Sequence, residues 1–136
     1  MIFVDSNVFI YAVGRPHPLR SEAQDFFLNA RQQSHKLVTS AEVLQELLHV
    51  YLPVGRMQTL DAALELATRG IDEIYPVDAD TVLHARRLAD QIPNLDARDL
   101  LHLSLCQLHN IHQIKTFDRN LKSAFGKSIE GTSIGI

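Results

Sequence analysis

Four acidic side chains, Asp5, Glu46, Asp99 and Asp118, occupy comparable places relative to the predicted secondary structure. Asp5 and Asp118 follow short apolar runs, whereas Glu46 and Asp99 lie near the starts of predicted helices. Two carboxylates about 4 Å apart repel by about 4 kcal/mol at an effective dielectric of about 20, so a cluster of four persists only if it keeps protons or binds a cation. Oxygen ligands favour Mg²⁺ or Mn²⁺ over zinc, and these ions suit phosphoryl chemistry because they activate water and neutralise phosphate.

The elements that would position these acids alternate between strands and helices. Apolar runs predict strands over residues 2–4, 36–39, 71–77 and 111–116, with a last strand within 128–136. Apolar stripes and capping residues predict helices over residues 6–13, 19–33, 39–51, 56–69, 78–89 and 96–108, and a helical turn over 121–125. This alternation predicts a three-layer α/β/α sandwich whose short central sheet is mainly parallel. Right-handed crossovers bring the carboxyl ends of the strands to one edge, where ligands bind in such sheets.

Length and composition fit one compact domain over residues 1–136. The chain is 46% hydrophobic and 21% charged, which excludes disordered and collagen-like classes. Its one cysteine, Cys106, cannot form an internal disulfide, which suits a reducing cytosol. No stretch approaches the roughly 20 apolar residues of a membrane span, and residues 1–4 lack the basic region of a signal peptide. We therefore expect a cytoplasmic protein without membrane attachment.

The formal net charge of −3 argues against a basic coat over the whole surface. It does not argue against a local basic surface, because setting aside the four candidate acids leaves the rest of the chain at +1. The basic residues that lie near the proposed edge in sequence, and that are candidates to hold a polyanion, are Arg98, Arg119, Lys122 and Lys127.

Two of the acids have structural alternatives that the residues alone leave open. Asp5, at the end of a strand, is able to cap the helix that follows. Glu42 and Glu46 compete for one place in the site. Glu42 is expected to reach back to the Thr39 amide in a capping box, whereas Glu46 has no such structural role. We therefore choose Glu46 for the site.

The other two acids raise the same question. Asp96 fits a helix N-cap, and Asp99 lies three residues further along the same helix face. We rank Asp99 first as a metal ligand. We expect Asp96 either to cap the helix or to contact a metal ligand without binding the metal itself. Asp118 followed by Asn120 is compatible with a plain Asx turn, but the nearby Thr116 favours a functional role.

The seven histidines invite comparison with zinc sites. No pair of them joins another ligand at a recognised spacing, so we assign them no metal or catalytic role. One alternative is left open for His102, which follows Asp99 by one helical turn and could orient a carboxylate or bind substrate.

Four short segments resemble, in order and in spacing, the acidic motifs of PIN-domain nucleases. IFVDSN at residues 2–7 is similar to the opening of that family, and Ser40 followed six residues later by Glu46 resembles its second motif. ARDLLH at residues 97–102 resembles the third motif, and KTFDRN at residues 115–120 the fourth. The match extends over essentially the whole chain, whose length is similar to that of the single-domain toxins of VapC type.

The resemblance implies a Mg²⁺- or Mn²⁺-dependent endoribonuclease, often a homodimer, that is neutralised by an antitoxin protein encoded beside it. It implies metal-site positions for Asp5, Glu46, Asp99 and Asp118, and supporting polar positions for Asn7 and Thr116. One departure is Asn110, which stands where a glycine commonly precedes the fourth strand. Asparagine tolerates the left-handed backbone that this place requires.

Three functions are compatible with these patterns. The leading prediction is metal-dependent RNA cleavage, with Arg98 and Arg119 supporting the substrate. The second is a binding module without turnover, whose carboxylates hold RNA-bound metal or an arginine of a partner. The third is phosphate transfer through an aspartyl intermediate on Asp5, which is disfavoured because Asn7 stands where one such class requires a second aspartate.

Overall fold

A four-stranded parallel sheet, in the order β3-β2-β1-β4, forms the centre of the molecule. The structure, a computed structural model, describes the backbone of residues 1–128 and the side chains of residues 1–126. The strands are β1 (Ile2–Val4), β2 (Leu37–Ser40), β3 (Glu73–Tyr75) and β4 (Gln113–Lys115). Phe3 of β1 pairs with Val38 of β2 on one side and with Ile114 of β4 on the other. The predicted parallel sheet is confirmed.

Helices connect these strands and flank the sheet. They are α1 (Ser6–Val13), α2 (Arg20–Gln32), α3 (Ala41–Tyr51), α4 (Met57–Gly70), α5 (Ala79–Gln91), α6 (Ala97–Leu108) and α7 (Arg119–Ser128), with a short 3-10 turn at Leu52–Val54. Helix α1 packs against α2, α3 and α4, whereas α5 packs against α6. Every residue of β1 and β2 is buried, as expected for strands covered on both faces. The predicted α/β/α sandwich is therefore confirmed, and no helix among the described residues is both long and apolar enough to cross a membrane.

Direct strand-to-helix junctions place two helix N-termini at the carboxyl edge of the sheet. Asp5 follows β1 and caps α1, and Ser40 ends β2 and caps α3 by accepting a hydrogen bond from the Val43 amide. Since neither junction has an intervening loop, the first turns of α1 and α3 lie beside the ends of the two central strands. The fold thus fixes the positions of side chains in these turns with little freedom.

Two strands and one cap differ from the sequence-based expectations. Strands β3 and β4 are shorter than the predicted segments 71–77 and 111–116, because β-rich composition extends beyond the residues that pair. The predicted capping box is wrong: Ser40 caps α3, and the Thr39 hydroxyl instead donates to the Val4 carbonyl at 2.7 Å. Asn110 has the predicted left-handed backbone, with a φ of 56°.

The C-terminal region also differs from expectation. Helix α7 is longer than the predicted turn at 121–125 and begins where Asp118 accepts hydrogen bonds from the amides of Asn120 and Leu121. Ser128, the first residue of the predicted last strand, belongs to this helix instead. The rest of that predicted strand, residues 129–136, lies outside the described residues.

Candidate active site

Asp5 is buried at the end of β1, and each of its carboxylate oxygens accepts a hydrogen bond. Oδ1 accepts from the Ser6 amide at 2.7 Å, which is the helix-capping contact. Oδ2 accepts from the Thr116 hydroxyl at 2.7 Å and from the Asn7 amide group at 3.4 Å. The capping role and a place in a polar site, which the sequence presented as alternatives, therefore coexist in one side chain.

Asn7 and Thr116 join the end of β1 to the end of β4. The Asn7 side-chain amide donates to the Thr116 Oγ1 at 3.2 Å, and its oxygen accepts from the Phe117 backbone at 3.2 Å. Thr116 Oγ1 also accepts from the Asp118 amide at 3.0 Å. These contacts give both residues the supporting geometry expected from the sequence, because they fix Asp5 relative to the segment that carries Asp118.

Glu46 is buried on α3, with only 8% of its surface exposed, and both of its oxygens have partners. Oε2 accepts a hydrogen bond from the Ser6 hydroxyl at 2.8 Å, and Oε1 lies 2.5 Å from Nε2 of His102. Glu42 is only half-buried on the same helix, and burial together with the nearby charge of Glu46 raises its pKa. Of the two glutamates, Glu46 is therefore the one that the fold brings into contact with Ser6 and His102.

His102 is the residue of this cluster that the sequence interpretation left outside. It lies on α6 with 1% of its surface exposed, and its Nε2 is also 3.5 Å from Oδ1 of Asp5. Single ligand atoms of Asp5, Glu46 and His102 all lie within 4.8 Å of one another. The sequence assigned the histidines no metal or catalytic role but left open that His102 could orient a carboxylate, and its contacts with Glu46 and Asp5 fit that alternative. The available signal was its spacing of three residues from Asp99, which puts both on one face of α6.

Asp99 lies in the first turn of α6, where burial and like charges raise its pKa to about 7. Burial is the largest cause, and the charges of Asp96, Asp118 and Asp5 add to it. Asp96 is exposed and caps α6 through a 2.9 Å hydrogen bond from the Asp99 amide, so of its two predicted roles it fills the cap. Its charge still reaches the site through its effect on Asp99.

Asp118 also combines two roles that the sequence left open. Its Oδ1 accepts hydrogen bonds from the backbone amides of Asn120 at 2.9 Å and Leu121 at 3.2 Å. These bonds form the Asx turn that the sequence offered as the structural alternative. The negative charge of Asp118 nevertheless helps to raise the pKa of Asp99. The fold therefore brings Asp99 into the electrostatic neighbourhood of both Asp5 and Asp118.

The positive charge near the cluster is too small to stabilise all of its carboxylates in their ionised form. Burial raises the pKa of Asp5, although His102 opposes the shift. Burial alone would raise the pKa of Glu46 and lower that of His102, but their mutual contact reverses both directions. A divalent cation fits this donor set, because it would lower the cost of holding Asp5, Asp99 and Asp118 ionised together, and carboxylate oxygens are ligands that Mg²⁺ and Mn²⁺ accept.

Two arginines are sequence neighbours of the site acids. Arg98 is half-exposed, lies 3.6 Å from Asp96 and helps to lower the pKa of Glu46, so its charge faces the cluster. Arg119 is exposed at the start of α7, directly after Asp118. Lys122 is exposed on the same helix, whereas the Lys127 side chain lies outside the described part of the chain. Of these basic residues, Arg98 is the one whose charge acts on the cluster.

Comparison with known proteins finds a matching family model and a similar curated protein. A family model described as the PIN domain matches residues 2–126. A curated relative, Ribonuclease VapC23 of Mycobacterium tuberculosis, is 57% identical over 125 residues, which cover 92% of this chain and 98% of the relative.

Solved structures share the fold at low sequence identity. The crystal structure of Mycobacterium tuberculosis VapC20, described as a Sarcin-Ricin loop cleaving toxin, has a TM-score of 0.77 at 17% identity, covering 91% of this chain and 95% of that one. A toxin-antitoxin complex from Klebsiella pneumoniae has a TM-score of 0.62 at 16% identity, covering 100% and 96%.

Proposed function

Because this chain belongs to the PIN domain family, we propose that it is a metal-dependent endoribonuclease of the VapC type that hydrolyses RNA phosphodiester bonds. The observation that carries the proposal is the buried cluster of Asp5, Glu46 and His102, with Asp99 beside it at a pKa of about 7. The ribonuclease name of the close relative supports the same activity. We propose Mg²⁺ or Mn²⁺ as the cofactor because the donors are mostly carboxylate oxygens.

Three carboxylates would hold the ion: Asp5, Asp99 and Asp118. Asp99 is the central member, because the charges of both others act on it. Ser6 and Thr116 orient Asp5 by donating to different oxygens of its carboxylate. When bound, such an ion supplies Lewis acidity toward the phosphoryl group.

Glu46 serves in this proposal as a fixed acceptor beside the ion-holding carboxylates. Its two oxygens are engaged by Ser6 and His102, but a carboxylate offers about four lone-pair sites, so acceptor capacity remains. Glu46 is therefore able to accept a hydrogen bond from the attacking water and to orient it for in-line attack. An aspartyl-phosphate mechanism on Asp5 is disfavoured, because Asn7 stands where one such class requires a second aspartate.

Arg98 and Arg119 are proposed to bind the RNA backbone on either side of the reacting phosphate. Both arginines are exposed, and arginine pairs with phosphate through parallel hydrogen bonds. Contacts of this kind position a nucleic acid without reading its sequence.

The direct test is incubation of the purified chain with a defined set of RNAs, with Mg²⁺, with Mn²⁺ and with excess EDTA. We expect cleavage with either metal and none with EDTA, because the carboxylate cluster requires an ion to function. Restoring the metal after chelation should restore cleavage. Denaturing gel electrophoresis of end-labelled RNA measures the products.

Two other results would replace the proposal with one of its alternatives. RNA that is bound but not cut in either metal would favour a non-catalytic binding module. A phosphorylated Asp5 trapped from a phosphate donor would favour phosphate transfer. Asp61→Asn, an exposed change on α4 remote in sequence from the site residues, is the matched control and should cleave like the wild type.

We further propose that an antitoxin protein binds this chain and blocks the site, and that the chain is a cytoplasmic homodimer. The likeness to a toxin-antitoxin complex supports the first point. The turn after α3 exposes apolar side chains that a protein partner would cover, namely Leu52, Val54 and Met57. An arginine of the antitoxin would suit the acidic cluster, since guanidinium and carboxylate pair bidentately.

The antitoxin proposal predicts that a small protein encoded beside this chain forms a stable complex with it and suppresses RNA cleavage at equimolar amounts. Changing a candidate arginine of that protein to alanine should restore part of the activity. Light scattering of the complex, and of the chain alone, measures binding and tests the homodimer. Full cleavage in the presence of a bound partner would contradict inhibition at the site.

A further inference from the structure

His102 is a buried titratable residue to which the proposed ion-holding set gives no role. Its Nε2 faces two carboxylates, 2.5 Å from Oε1 of Glu46 and 3.5 Å from Oδ1 of Asp5. Its Nδ1 is buried without a hydrogen-bond partner among the described residues. With acceptors only at Nε2, both the neutral tautomer favoured here and the imidazolium carry a hydrogen on Nε2. Nε2 is therefore a donor toward Glu46.

We propose that His102 is a positioning residue that fixes the orientation of the Glu46 carboxylate relative to Asp5. Ser6 donates to Oε2 of Glu46 at 2.8 Å, and His102 contacts Oε1, so the two donors act on different oxygens of one carboxylate. A single donor would leave that carboxylate free to rotate about its terminal bond, whereas two restrict it to one plane. Partners that hold a functional side chain in this way often affect activity about 10–100-fold when they are replaced.

The surroundings of His102 hold the imidazole itself in place. The ring lies 5.4 Å from the ring of Phe3, which belongs to the central strand β1 and is itself fully buried. Neighbouring residues on α6, Leu103 and Leu105, are buried in the core. The donor is thus held within the buried core, and Glu46, on a different helix, is oriented against it.

This proposal rests on the proposed nuclease function, and the test uses two substitutions that differ in one respect. His102→Gln keeps an N–H donor at about the reach of Nε2, whereas His102→Leu fills a similar volume without a donor. We expect His102→Leu to lower kcat about 10–100-fold with little change in the KM for RNA, and His102→Gln to recover most of that loss. His49→Gln, an exposed histidine one turn beyond Glu46, is the matched control and should behave like the wild type.

A double-mutant cycle separates positioning from general structural support. If His102 acts through Glu46, then His102→Leu should cause little further loss of kcat in a Glu46→Gln background. The same fold-loss in both backgrounds would overturn the proposal. So would a His102→Gln variant that folds like the wild type but is as slow as His102→Leu.

A measurement that does not depend on cleavage distinguishes failure of this proposal from failure of the proposed function. Nitrogen NMR of the histidine side chains should show a protonated Nε2 on His102 that shifts in Glu46→Gln and stays protonated when Mg²⁺ is added. Loss of the Nε2 proton on adding Mg²⁺ would make His102 a metal ligand and overturn the positioning role. If the wild type cleaves no RNA, the nuclease proposal fails, and this spectrum still decides whether His102 holds Glu46.

Discussion

Asp99→Asn is expected to reduce metal-dependent RNA cleavage by about 10³-fold or more while leaving the metal-free protein at least as stable as the wild type. The activity falls because the substitution removes the carboxylate on which the charges of Asp5 and Asp118 converge. Loss of about 4 kcal/mol of transition-state stabilisation corresponds to about 10³-fold in rate. Stability does not fall, because the substitution removes a charge that its neighbours repel and keeps the Asp99 backbone amide that donates to Asp96.

The same substitution should change how stability depends on pH. The pKa of Asp99 rises from 3.8 to about 7 in the fold, so between these values the folded chain holds a proton that the unfolded chain has lost. The metal-free fold therefore loses stability as the pH rises toward 7, and Asp99→Asn removes this contribution. Thermal unfolding in EDTA, compared near pH 5.5 and pH 8, should show a smaller fall in Tm for the variant.

Asp61→Asn is the control for both measurements, because it makes the same chemical change on an exposed face of α4. It should keep wild-type cleavage and the wild-type pH dependence. Full cleavage by purified Asp99→Asn would remove Asp99 from the ion-holding set. A folded Asp99→Asn that is less stable than the wild type near pH 8 would contradict the like-charge repulsion inferred for the site.

The order of the elements and the acidic residues at their ends could be predicted because both are local in sequence. Apolar runs mark β1 and β2, whose residues are all buried, and the acids either follow such runs or lie within the helices that come after them. A parallel sheet then brings distant segments to one edge, since its strands share a direction. Asp5 and Glu46 come together for this reason, although 40 residues separate Glu46 from Ser6, its hydrogen-bond donor.

The hydrogen bonds that orient the carboxylates could not be predicted from the sequence. They depend on the direction in which each side chain points from its own helix or strand. A histidine within an apolar helix is compatible with a buried core residue, and only the crossing of α6 against β1 and α3 brings His102 to Glu46 and Asp5. Ser6 presents the same problem, since in sequence it looks like the start of a helix. Asp5 and Asp118 each cap a helix and also lie near the other acids, so capping a helix does not exclude a carboxylate from the site.

Asp5→Asn is expected to abolish cleavage as Asp99→Asn does, but also to destabilise the metal-free protein by about 1–3 kcal/mol. Oδ1 of Asp5 faces the Ser6 amide hydrogen, and Oδ2 faces the Thr116 hydroxyl, whose oxygen already accepts from Asn7 and from the Asp118 amide. The amide group of asparagine would therefore point an N–H either at another N–H or at an oxygen with no free lone pair. One buried hydrogen-bonding group remains unsatisfied in either orientation.

Comparing Asp5→Asn with Asp99→Asn separates an effect on RNA cleavage from an effect on stability, because both variants carry the same type of substitution. Both should lose cleavage by about 10³-fold or more, because both carboxylates are proposed to hold the ion. Only Asp5→Asn should unfold at a lower urea concentration in EDTA. Asp5 links β1 to Thr116, whereas the Asp99 side chain makes no hydrogen bond to a strand among the described residues. Equal stability of the two variants would show that the Asp5–Thr116 contact contributes nothing to the fold, and cleavage by Asp5→Asn at the wild-type rate would remove Asp5 from the ion-holding set.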